Sequence, residues 1–197
     1  MILDIIYAVI ILYLLLCLVL YFKDKSYFYK NSVIIQAPPE ALFDFVVDLR
    51  SWESKYPNTL FAEYNLGGDK TTVGSVAIEK YWGITGYHVM KHQLMNYERP
   101  NKIAWEGKII YGGALVLLFL PITKYITGHF SYSITEMKGG SSHWERQCYF
   151  KMHSANPLYR LVYLIYMPLF RLELLKALRL YQAEVKEMME KIYTDQF

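Results

Sequence analysis

The sequence predicts an α+β domain carried behind an apolar N-terminal helix. Three observations predict it. Residues 2–22 are apolar except for Asp4. Residues 59–152 alternate apolar and polar side chains and are broken at short intervals by glycine, proline and asparagine turns. Residues 156–193 then repeat leucines at helical spacing. Strands gathered in one block, with helices before and after, point to an antiparallel sheet rather than to alternating strand and helix.

Composition narrows the class. The 197 residues suit one domain plus a small appendage, and 54% apolar with 20% charged residues excludes a disordered chain. A net charge of +3, from 21 basic and 18 acidic side chains without a basic run, argues against a nucleic-acid partner. Two cysteines, Cys17 and Cys148, argue against a disulfide-stapled module and suit a reducing compartment.

The first segment, residues 1–22, reads as a transmembrane anchor. As a helix, residues 2–22 reach about 30 Å, the thickness of a bilayer's hydrocarbon core. Neither Gly nor Pro interrupts them, and Tyr7, Tyr13, Tyr21 and Phe22 include ring positions near the ends, where interfacial aromatics are favoured. A cleaved signal peptide is the rival, but the start is Met-Ile-Leu-Asp and no small-residue cleavage triplet follows. Lys23, Lys25 and Lys30 follow the span, whereas Asp4 precedes it, so a single-pass chain keeps its C-terminal body cytoplasmic. Asp4 itself reads as an interfacial carboxylate.

Residues 23–31 read as a linker and residues 32–197 as the body. A β-branched run at 32–36 is the first strand. Ala37-Pro38-Pro39-Glu40 then opens a helix, since proline is tolerated in a first turn and Glu40 suits the positive end of the dipole. Leu42, Phe45, Val46 and Leu49 form its apolar stripe. A second short helix runs from Trp52 until Pro57 stops it. Six strands follow, at 60–65, 73–82, 87–97, 102–110, 126–137 and 142–152, joined as a meander. Ile103, Trp105 and Ile109 oppose Lys102, Glu106 and Lys108, while Phe130, Tyr132 and Ile134 oppose His129, Ser131 and Ser133. Trp144, Cys148, Phe150 and Met152 oppose His143, Glu145, Gln147 and Lys151, so one sheet face is apolar and the other wet. Asn156 and Pro157 cap the last helix, in which Pro168 should introduce a kink.

The stretch Ser-Val-Ile-Ile-Gln-Ala-Pro-Pro-Glu-Ala-Leu-Phe-Asp-Phe-Val-Val-Asp at 32–48, with Trp52 and Tyr56-Pro57, resembles the opening of the START-like (SRPBCC) superfamily. That group includes polyketide cyclases, lipid-transfer domains and relatives of the birch-pollen allergen. The resemblance covers residues 32–193 and implies a helix-grip fold, a curved seven-stranded antiparallel sheet wrapped around a long C-terminal helix. It also implies a hydrophobic cavity between them, used by most members to bind lipids, sterols or aromatic compounds and by some to transform them. Fold alone does not choose among these roles.

Two features depart from the plain pattern, namely the anchor and the apolar run Gly-Gly-Ala-Leu-Val-Leu-Leu-Phe-Leu-Pro at 112–121. That run is too short to span a bilayer, and buried strand, cavity mouth and membrane contact through Leu115, Leu117, Leu118 and Phe119 all stay open. Residues 158–170 are similarly apolar on more than one face.

For chemistry, the expected cavity lining is Met90, His92, Trp105, Phe130, Tyr132, Trp144, Arg146, Cys148 and Phe150, with His92, Tyr132 and Arg146 as orienting groups. For Trp82, Trp105 and Trp144 plain core packing is the favoured reading over ligand contact. His88 and His92 share a face but stand about 13 Å apart along a strand, too far for one metal ion. No nucleophile elbow or phosphate loop occurs, Cys148 reads as a small buried hydrophobe, and no cofactor is expected. Three roles remain: binding of a lipid or aromatic small molecule at a membrane, cyclase or dehydratase chemistry using His92 or Tyr132, and a non-catalytic membrane interaction module. Oligomeric state is open.

Overall fold

The computed structural model describes residues 2–23, 26–55, 59–64, 70–83, 86–112, 124–154 and 156–194. Helix α1 (Ile2–Lys23) is followed by strand β1 (Ser26–Ile35) and helices α2 (Pro39–Val47) and α3 (Leu49–Lys55). Strands β2 (Thr59–Tyr64), β3 (Val76–Gly83), β4 (Gly86–Glu98), β5 (Lys102–Gly112), β6 (Ile126–Glu136) and β7 (Ser142–Met152) come next, then helix α4 (Pro157–Thr194). One seven-stranded sheet results, in the order β1-β7-β6-β5-β4-β3-β2, antiparallel throughout. The fold is α+β and helix-grip-like, as expected.

Some of its boundaries differ from expectation. β1 begins at Ser26, so residues 26–31, expected as linker, pair with β7 from Lys151 to Arg146. Tyr27, Phe28 and Tyr29 are themselves strand formers, and β7 supplies the ladder that fixes them as one. α3 begins at Leu49 rather than at Trp52. Helix α4, by contrast, runs from Pro157 to Thr194 through Pro168, in the extent expected.

α1 is a helix of 22 residues whose Leu3, Ile5, Ile6, Val9, Leu12 and Leu15 stand largely exposed, as do its other described apolar side chains except the half-buried Tyr13. Among the described residues no helix is long and apolar enough to cross a membrane, and the side chains at 16, 17 and 20–23 lie outside them. The expected crossing is therefore not shown. The run at 113–121, with Leu115, Leu117, Leu118 and Phe119, also lies outside the described residues, as do Pro57 and the turn at 67–69.

The apolar face of the sheet is the concave one. α2 lays Leu42, Phe43, Val46 and Val47 on it, and the C-terminal half of α4 adds Tyr181, Val185 and Met189. These pack with Leu94, Ile103, Trp105, Tyr132, Ile134 and Trp144 as the main core. A second cluster forms under the first half of α4, from Ile126, Cys148, Phe150, Met152, Tyr163 and Leu178. Alternation along β7 is complete, with Ser142, Trp144, Arg146, Cys148, Phe150 and Met152 all buried.

Trp82 departs from the core expectation. It is 59% exposed on the outer face of β3. Tyr81, its neighbour, takes the inward place and stacks on His88 with ring centroids 5.0 Å apart, so parity sends Trp82 outward.

Candidate ligand site on the concave face

Three aromatic contacts decide how the interior is filled. Trp105 meets Trp52 at 5.5 Å and Tyr132 at 5.1 Å, and Tyr132 meets Trp144 at 5.8 Å, all edge-to-face. Trp144 in turn meets Tyr181 of α4 at 5.8 Å. This chain of rings fills the half of the concave face beneath α2 and α3. Trp105 and Trp144, both expected as cavity lining, lie inside it, and their indole nitrogens have no hydrogen-bond partner among the described residues.

Arg146 is embedded in the same chain at 1% exposure. Its Nη2 donates to the Tyr132 hydroxyl at 2.9 Å. Its guanidinium carbon stands 4.6 Å from the Tyr132 ring, 5.1 Å from Tyr181 and 5.6 Å from Trp144, a cation held by ring faces. Burial lowers its pKa to about 10, which leaves it cationic at neutral pH. Burial likewise pushes the Cys148 thiol up to about 11 and the Tyr181 hydroxyl up to about 12. Cys148 is accordingly an inert buried thiol at neutral pH.

The other half of the concave face is less completely filled. Phe130 packs against both apolar clusters yet is itself only partly buried. Ile109 and Tyr81, which also point inward, keep partial exposure. Gly107 and Gly128 let the Phe130 ring lie close to the sheet. A Cβ on Gly107 would stand 2.7 Å from Phe130 Cε2, and one on Gly128 would stand 2.9 Å from both Phe130 and Phe150.

Polar groups border this patch. Met90 and His92 face inward from β4, and Glu79 joins them from β3. His92 Nε2 lies 2.9 Å from Glu79 Oε2, and Thr59 donates to Glu79 Oε1 at 2.8 Å. The His92 side chain is 4% exposed and that of Glu79 is 15% exposed. Trp52 and Phe130 hold the imidazole edge-on at 5.7 and 5.5 Å, and Nδ1 has no hydrogen-bond partner among the described residues. Glu79 went unrecognised from sequence. Its inward parity with Ala77 and Tyr81 was the signal that could have found it.

The structure thus places all nine expected lining residues on the concave side but divides them. Trp105, Tyr132, Trp144 and Arg146 form the ring-packed half, Cys148 and Phe150 the second cluster, and Met90, His92 and Phe130 the patch between. Among the described residues no group of three potential metal ligands occurs.

His88 gives a pH prediction. Burial holds its pKa below 6.5, so the folded protein keeps it neutral while the unfolded chain protonates it. Its contribution is complete above about pH 6.5 and falls as pH drops from there toward the lowered folded value. The urea midpoint should therefore decrease between pH 7.5 and 5.5, and His88→Phe should flatten that decrease. An equal decrease in the variant would remove His88 from the account.

No family model and no curated protein matches the chain. Solved structures do. The di-domain ARO/CYC BexL from the BE-7585A biosynthetic pathway shares 14% identity at a TM-score of 0.61, over 88% of this chain and 53% of its own, so this chain spans about half of it. The Zhui aromatase/cyclase from Streptomyces sp. R1128 shares 10% at 0.58, over 81% and 93%. Ara h 8.0201 shares 13% at 0.56, over 81% and 97%. At these identities the likeness is one of fold.

Proposed function

We propose that this chain is a membrane-tethered member of the START-like superfamily that binds a lipid or aromatic small molecule on its concave sheet face. The observation that carries the reading is Phe130. One partly exposed ring packs against both apolar clusters, which share no other member among the described residues, with Ile109 and Tyr81 partly open beside it. A ligand seated there gains about 25 cal/mol for each Å² of apolar surface removed from water, while His92 and Glu79 supply a polar end that fixes orientation. Two of the similar structures are an ARO/CYC di-domain and an aromatase/cyclase, which agrees with a ring-bearing ligand.

The tether is α1. Its apolar side chains are exposed on every described face but that of Tyr13, a surface that water does not favour and lipid does. Lys23, Lys25 and Lys30 after it, read with the positive-inside rule, support a body on the cytoplasmic side.

Extraction of the purified full chain followed by mass spectrometry tests the binding reading. A stoichiometric hydrophobic compound is expected, and Ile109→Trp, which fills the patch, should reduce its retention at least ten-fold. A chain that is repeatedly empty, with no uptake of an anilinonaphthalene sulfonate probe that Ile109→Trp abolishes, overturns it.

A second reading is favoured by the Thr59–Glu79–His92 chain of hydrogen bonds. A carboxylate that holds an imidazole in one tautomer is a means of proton transfer, as cyclisation or dehydration of a polyketide requires. Here His92 removes a proton from carbon next to a ligand carbonyl and returns it to the product. Solvent-deuterium exchange into bound 1-tetralone measures this directly. Glu79→Gln should slow the exchange about 100-fold while probe binding is retained. Exchange no faster than in buffer alone would leave simple binding as the function.

A further inference from the structure

The outer face of the sheet carries a feature that ligand binding does not use. Strand register aligns Ser26 with Lys151, Lys151 with Thr127, Thr127 with Lys108, and Lys108 with Lys91. Three exposed lysines, Lys151, Lys108 and Lys91, therefore lie along a row across four strands, with the buried Thr127 between the first two and Lys108 directly opposite Lys91. Like charges directly opposite in a sheet are unfavourable, and Glu106, 3.0 Å from Lys108, offsets only part of this.

Beyond the row, toward the same end of the sheet, the outer face turns aromatic. Trp82 is paired with Tyr87, and Tyr87 contacts Tyr111 at 6.0 Å between ring centroids. The register shift between Val89 and Met90 makes Ile110 an extra residue on β5, which turns Tyr111 outward beside Tyr87. Trp82, Ile110 and Tyr111 are 59%, 54% and 53% exposed.

This is also the end of the sheet at which α1 arrives. Lys23 ends α1 and Ser26 opens β1, three residues on, so at most about 11 Å separates them. Four strand spacings of about 4.8 Å place the far end of the lysine row about 19 Å from β1. If α1 lies in a bilayer, the row is held at the level of the lipid headgroups, with the aromatic rim in front of it.

We infer that this end of the outer face is a docking surface for an anionic lipid bilayer, with Lys91, Lys108 and Lys151 facing phosphates and Trp82, Tyr87 and Tyr111 seated at the interface. The inference rests on the tether proposed above. Aromatic rings with a polar edge favour the water–hydrocarbon boundary, and lysines behind them gain from a negative surface. Charge complementarity with such a surface also accounts for the opposed lysine pair.

The test uses the full chain in phosphatidylcholine vesicles with and without 30% phosphatidylserine, each carrying shallow-labelled doxyl lipid. Trp82 is the exposed described tryptophan, whereas Trp52, Trp105 and Trp144 are buried and report that the fold is intact. In anionic vesicles the emission lost in Trp82→Phe should be the quenched part. Each lysine near a negative surface shifts the docked population about five-fold, so the Lys91→Gln, Lys108→Gln, Lys151→Gln triple variant should shift it about 100-fold and abolish quenching. Quenching that ignores both lipid charge and the triple substitution overturns the surface. Co-flotation with vesicles but no Trp82 quenching also overturns it and leaves the tether standing. Chain that does not float overturns both, and flotation that high salt reverses overturns the tether and with it the placement of the row at the headgroups.

Discussion

Trp144→Ala is expected to lower the unfolding free energy by about 3–5 kcal/mol, the range for truncating a large buried aromatic side chain. Trp144 is fully buried, and its ring meets Tyr132, Tyr181 and the Arg146 guanidinium, so sheet and α4 both lose a contact when it is removed. Those neighbours are themselves locked by ring packing, which limits how far the space can close. Urea titration of the full chain in detergent measures the effect. A loss below about 1 kcal/mol would mean that the ring chain does not hold α4 to the sheet.

Arg146 separates size from charge. Arg146→Ala is expected to cost about 3 kcal/mol, from the cavity together with the loss of the Arg146–Tyr132 hydrogen bond. Arg146→Met keeps most of the volume and removes the desolvation of a buried cation, so it should lie within about 1 kcal/mol of the parent or above it. If both variants are equally destabilised, the charge itself holds the ring cage together. The two unfolding free energies, measured side by side, decide between these outcomes.

Much of the fold was legible because antiparallel strands with one wet face keep strict alternation. β7 was read to the residue, and the inward set on β5 and β6 followed from the same parity. Element types at the start of the body were also legible, since Pro39 and Glu40 suit a first helical turn and little else. What stayed hidden depended on contacts between distant residues. The first half of β1 is fixed as a strand by the ladder with β7. Glu79 shares inward parity with Ala77 and Tyr81, but Thr59 and His92, which make a carboxylate tolerable there, come from other strands. The division of the concave face was hidden too, because parity tells which side a ring takes and not whether another ring already fills the space before it.

The pairing of first and last strands has a consequence during synthesis. Ser26 waits for Lys151 and Ile35 for Ser142, so β1 leaves the ribosome well over a hundred residues before its neighbour exists. At about 5–20 residues per second that is a delay of roughly 5–25 s. Throughout it, the newborn strand has an open edge while α1 has already emerged ahead of it. A chaperone or an early seat in lipid that shields this edge would therefore govern the yield of correctly assembled protein, and translation speed along the meander would matter more than the intrinsic rate of any hairpin.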